Sequence, residues 1–165
     1  RGDCLPIVLK KRIGQKNIQQ NWTIFYNHLS RQARIDSIEQ WSIPQRCHNY
    51  FSMLIFLQNQ PLKIGDVYRF ALDTESLLWE VTARVIATEA LKLPFGDADG
   101  SHLILSFKRK NPSHSRPWKT DLMTNRFANA YEPMHIWIEA KKDKKILRID
   151  YNSKTKMFLK SVINN

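Results

Sequence analysis

Cysteine is nearly missing from this chain: two occur in 165 residues, Cys4 and Cys47. That count permits one disulfide without requiring it, and the spacing matches no metal-binding motif. Glycine is also scarce, at five residues, and no Gly-rich phosphate loop can be assembled from them. No run of 18 apolar residues exists, so no segment reads as a membrane-spanning helix. Acidic residues are outnumbered, with 15 Asp and Glu against 26 Lys and Arg, for a formal net charge of +11. Such a balance calls for an acidic partner or serves solubility. The chain opens at Arg1 without Met or an apolar leader, as expected of a processed protein or a piece of a longer one.

Motifs that would announce chemistry are equally sparse. The five histidines, His28, His48, His102, His114 and His135, share no ligand spacing such as H-x-H or H-E-x-x-H. Asp97, Asp99 and Gly100 resemble the start of a calcium loop. The twelfth position of that loop needs a bidentate Glu, and Lys108 stands there, so the stretch reads as a hairpin turn. The Arg1-Gly2-Asp3 tripeptide reads as chance, and Asn21-Trp22-Thr23 is a glycosylation triplet poorly placed within a strand. No cofactor is implied.

What is present is a pattern of strands around one helix. At 42% hydrophobic and 25% charged residues, the composition fits a single domain over residues 1–165. Asn49 to Gln58 reads as one amphipathic helix, with an N-cap residue at its start and Pro61 beyond its end. Its apolar stripe is too broad for a surface helix, so cover on most sides is expected. Residues 5–13, 18–26 and 32–41 predict an antiparallel meander before it. Residues 67–72, 77–86, 101–110, 134–140, 145–151 and 157–163 predict further strands after it, with a turn at 96–100. Residues 111–131 predict a long polar loop. Several strands carry apolar residues on both faces, as in a sheet that wraps something. The expected fold is mainly β (α+β): a strongly curved antiparallel sheet or half-barrel wrapped around one helix.

Cations cluster at Lys108, Arg109, Lys110, Arg116 and Lys119, with Trp118 among them. These are candidates for anion binding, to lipid or glycan headgroups. The plainer reading is a solvated surface whose lysines deter edge association. Nucleic acid is not favoured, because no recognised nucleic-acid motif is present.

Leu5-Pro6 before a basic strand, Ile24 to His28, Ile43-Pro44 before the helix, Pro61 to Phe70, Trp79 to Val85, Ile136 to Ile138 and Ile146 to Ile149 follow one another in an order that resembles the bacterial family named domain of unknown function 3108. Asn27 stands where the family has Asp. The likeness spans residues 4–163. It implies an exported protein of the periplasm or outer envelope, peripheral to the membrane at most, with a curved sheet around a helix and no catalytic motif. Family members usually carry further N-terminal strands, so a free sheet edge, or a homodimer formed through it, is expected.

With that resemblance the expected role is a non-enzymatic binding module for a lipid or amphipathic ligand. The candidate lining is Met53, Phe56, Tyr68, Phe70, Trp79 and Trp137; the competing reading is that these side chains only fill the core. The alternative role is a scaffold that binds anionic glycan or a partner protein through the basic surface. A catalytic role would need His28, Asp36, Asp121 and His135 to converge.

Overall fold

A computed structural model describes residues 4–15, 18–36, 39–110, 132–141, 143–151 and 156–159. The expected loop at 111–131 lies outside them, with His114, Arg116, Trp118, Lys119 and Asp121. Among the described residues the chain is mainly β with one helix. In order the elements are β1 (Val8–Gln15), β2 (Ile18–Asn27), β3 (Gln32–Ile35), β4 (Glu39–Ser42), β5 (Cys47–His48), α1 (Tyr50–Gln58), β6 (Val67–Thr74), β7 (Leu77–Leu93), β8 (Gly96–Arg109), β9 (Met134–Glu139), β10 (Ile146–Asp150) and β11 (Lys156–Phe158).

The strands form two sheets rather than the single sheet the pattern suggests. One is a four-stranded antiparallel meander, β1-β2-β3-β4; the other has seven strands in the order β11-β10-β9-β8-β7-β6-β5. Every pairing is antiparallel except β5 with β6. The stretch expected as one strand over 32–41 is broken after Ile35. Asp36 there takes a positive φ of 44°, and β3 folds back on β4.

The β7–β8 hairpin runs beyond its expected length. Leu77, Trp79, Val81, Ala83 and Val85 alternate inward with period two, and a bulge between Val85 and Ala87 then shifts the register. Past the bulge, Leu91 and Leu93 are buried on the other side of the sheet. Residues 96–100, expected as a turn, are strand. The turn is Pro94-Phe95, and Gly96 beyond it takes φ 125°.

Helix α1 begins with a full capping box. The Asn49 side chain accepts from Ser52 N at 2.9 Å, and Asn49 N donates to Ser52 Oγ at 2.9 Å. Asn49→Ala is expected to cost about 1–2 kcal/mol, read as a lower urea midpoint at unchanged slope.

Met53, Leu54 and Leu57 press onto one face of the seven-stranded sheet, against Leu72, Val81, Ala83, Leu105, Ile136 and Ile149. The neighbouring residues Ala71 and Leu78 point to the opposite face. There they join Trp22, Ile24, Tyr26, Ala33 and Cys47 in a second core. The helix and the four-stranded sheet thus cover opposite faces of the same strands. Both cysteines are free thiols, Cys4 exposed and Cys47 buried.

Candidate functional site

The residues proposed to line a ligand divide between core, rim and far face. Met53 is fully buried and Trp79 nearly so, its indole N–H donating to Thr74 Oγ1 at 2.8 Å. Phe56, Tyr68 and Phe70 sit half-buried at the margin of that core. The ring of Phe56 lies 5.2 Å from Phe70 and 6.4 Å from Tyr68. His48 packs against this group, 4.9 Å from Phe56 and 5.6 Å from Phe70. The Tyr68 hydroxyl donates to Asp66 Oδ2 at 2.8 Å and accepts from Leu62 N at 3.3 Å. Burial, then that carboxylate, raises the Tyr68 hydroxyl above its ordinary range. Trp137 does not join them. It lies between Ile136 and Ile138, both in the helix-side core, and so points to the opposite face.

The expected cover of α1 is also incomplete. Phe51 is 51% exposed and Ile55 45%, one turn apart on the side away from the sheet. Phe51 and Ile55 therefore form a short exposed apolar strip on α1.

Of the proposed anion-binding cations, Lys108 on β8 and Lys110 just past its end are exposed, and both lie beside Glu80, the cross-strand partner of Lys108 and the ion-pair partner of Lys110. Arg109 points to the other face, where Trp79 is its cross-strand partner. The triplet therefore cannot act as one patch. Arg116 and Lys119 lie outside the described residues.

On the sheet face turned away from α1, pairing assembles a cluster that is scattered in the sequence. His102, Trp137 and Arg148 lie side by side on β8, β9 and β10. The His102 ring stacks on Trp137 at 4.2 Å, and the Arg148 guanidinium lies 4.4 Å from the same ring. Glu89 accepts from Trp137 Nε1 at 2.5 Å and lies 3.0 Å from His102 Nδ1. His102 Nε2 faces His135 Nδ1 at 2.8 Å. Arg148 is paired with Asp150. Burial, chiefly, holds His102 below its usual imidazole value, with His135 and Arg148 adding to the effect while Glu89 opposes it. With Glu89 accepting the Nδ1 proton, neutral His102 presents Nε2 as an acceptor, which makes His135 Nδ1 the donor. The sequence already puts His135 and Trp137 on one strand face; the register alone adds His102, Glu89 and Arg148.

A second buried polar group joins the two sheets. Asp73 accepts from Tyr26 Oη at 3.1 Å, Trp41 Nε1 at 3.0 Å and Ser76 N at 3.1 Å. Burial outweighs these bonds and pushes its carboxyl up to about 7. Lys11 pairs with Glu75 next to it. Burial, then the Asp73 charge, also pushes the Cys47 thiol far up, which keeps it protonated and a poor nucleophile.

The residues weighed for catalysis have separate partners. His28 binds the backbone oxygens of Pro6 and Gln45, Asp36 accepts from Thr23 N, and His135 meets His102. Among the described residues no group of three or more ligating side chains is placed to hold a metal ion. No helix among them is long and apolar enough to cross a membrane. Comparison of the chain with protein-family models, curated proteins and solved structures finds no match.

Proposed function

We propose that this chain is an exported, non-enzymatic binding module of the cell envelope, of the kind the family resemblance implies. It holds an acyl chain or a lipidated peptide against α1. In this reading the seven-stranded sheet bows around the helix as a half-barrel, and the ligand lies along the strip of Phe51 and Ile55 and the rim of Phe56, Tyr68 and Phe70.

The observation that carries the reading is the exposure of Phe51 and Ile55 on a helix whose other side is embedded. Covering each would gain about 1–2 kcal/mol, as a share of the ~1.5–3 kcal/mol for full burial of such side chains. The net charge of +11 favours a ligand with an anionic headgroup.

The test is uptake of a fluorescent fatty acid, with native mass spectrometry of the gently purified protein. The double variant Phe51→Ser, Ile55→Ser is expected to stay folded and to lose at least tenfold in uptake. Unchanged uptake, or no lipid bound by the native chain, rules the reading out.

A second reading rests on the exposed Lys108 and Lys110: binding of anionic glycan or a partner protein through the basic surface. The double variant Lys108→Glu, Lys110→Glu is expected to abolish a salt-sensitive pull-down. Retention of binding removes that surface from consideration.

A further inference from the structure

The four-stranded sheet turns Trp22, Ile24, Tyr26 and Ala33 toward the core, which leaves its alternate residues facing solvent. On that outer face Phe25, Arg34 and Gln40 stand in one cross-strand row, and Asn27 and Gln32 in the next. Above them is a hollow of about 350 Å³, with Ser30 in its wall. That size falls within the roughly 300–1,000 Å³ of small-molecule sites.

Its lining is unusual for this chain. None of the eight lining residues is acidic, and Arg34 is the single cation. Amide, hydroxyl and guanidinium groups surround the exposed ring of Phe25. Phe25 is 38% exposed, with the Arg34 guanidinium 4.9 Å from its ring. The Asn27 side-chain oxygen Oδ1 accepts from Leu29 N and Ser30 N, which fixes the turn that walls the hollow. Ser30, Gln32 and Gln40 are all exposed in that lining.

We propose that this hollow is a saccharide-binding site for an uncharged pyranose oligosaccharide. Each Gln amide offers a donor beside an acceptor, the pairing that vicinal hydroxyls require, and Ser30 and Arg34 add further donors. The negative face of an aromatic ring attracts the polarised C–H groups on the apolar side of a sugar. Strand spacing of about 4.8 Å sets successive side chains across the width of one sugar ring. An acyl chain would leave these polar groups desolvated without partners, at a cost that excludes it. A polyanion would meet one cation only. The site is independent of the apolar strip on α1 and of Lys108 and Lys110.

The test titrates the isotope-labelled full chain with β1,4-linked tetramers of glucose and of N-acetylglucosamine, and with a mannose tetramer, following amide and Arg34 side-chain resonances by NMR. At least one tetramer is expected to give saturable shifts confined to residues 25–42, unchanged in 0.5 M salt. Phe25→Ala and the pair Gln32→Ala, Gln40→Ala each weaken binding at least tenfold, whereas Ile64→Ser, at an exposed residue outside both proposed sites, leaves it intact. All of these substitutions are on the surface, so the fold is retained and loss of binding is readable. The proposal is overturned if no tetramer shifts residues 25–42 or if the shifts survive in the variants.

Discussion

An Asp73→Asn variant gains stability relative to the native chain as the pH rises from about 4 to about 7. Asp73 is buried where the two sheets meet, and its folded carboxyl titrates at about 7, against about 3.9 in an unfolded chain. Between those values the folded state holds a proton that the unfolded state has released. Folding therefore becomes less favourable as the pH climbs, until both states are ionised. Below about pH 4 both are protonated and the group has no effect on the slope. The full span amounts to about 4 kcal/mol. Asn cannot ionise and escapes that loss, at the expense of turning its amide nitrogen either toward Tyr26 Oη or toward both Trp41 Nε1 and Ser76 N. That second cost does not depend on pH. Urea unfolding of both proteins at pH 4, 5.5 and 8 measures the difference; a constant gap across the range would sink the assignment. The comparison must be between variants, because His102 acts in the opposite sense. Its folded value is lowered, so the stability it contributes is present above its unfolded value near 6.5 and is lost as the pH falls below it.

Met53→Ala and Leu57→Ala each lose about 2–5 kcal/mol whether or not any ligand is present. Both side chains are completely buried against the seven-stranded sheet, so truncation leaves a cavity as well as lost transfer free energy. Trp79→Ala removes a larger side chain and the bond to Thr74 Oγ1, with an expected loss of about 3–5 kcal/mol. Phe51→Ser and Ile55→Ser, on the exposed side of the same helix, change stability by about 0.5 kcal/mol or less. Denaturation midpoints of the ligand-free proteins separate the two groups. Small losses at Met53 and Leu57 would mean that they face a space a ligand fills.

That contrast marks where the sequence alone stops being informative about the candidate site. The lining residues are apolar and aromatic whether they fill a core or border a ligand, and composition cannot separate the two roles. Met53 and Trp79 are core, Phe56, Tyr68 and Phe70 are rim, and Trp137 is on the far face. The positions 51 and 55 were legible as part of a broad apolar stripe, yet their exposure was not, because helical period shows which residues share a face and not what covers it. The hairpin turn at Pro94-Phe95 was hidden for a similar reason. Asp97, Asp99 and Gly100 have turn chemistry, but their pairing with Lys92, Ala90 and Glu89 holds them in a strand.

Local sequence determined the element types: the helix over 50–58 from its cap and its apolar run, most strands from their alternation, and the basic character from counting. Tertiary structure alone decided how many sheets the strands form, where the β7–β8 bulge reverses the inward face, and that His102, Glu89 and Arg148 gather around Trp137. Those outcomes depend on register between strands distant along the chain. A shift of one residue in that register exchanges the two faces of a strand while leaving its own sequence pattern unchanged.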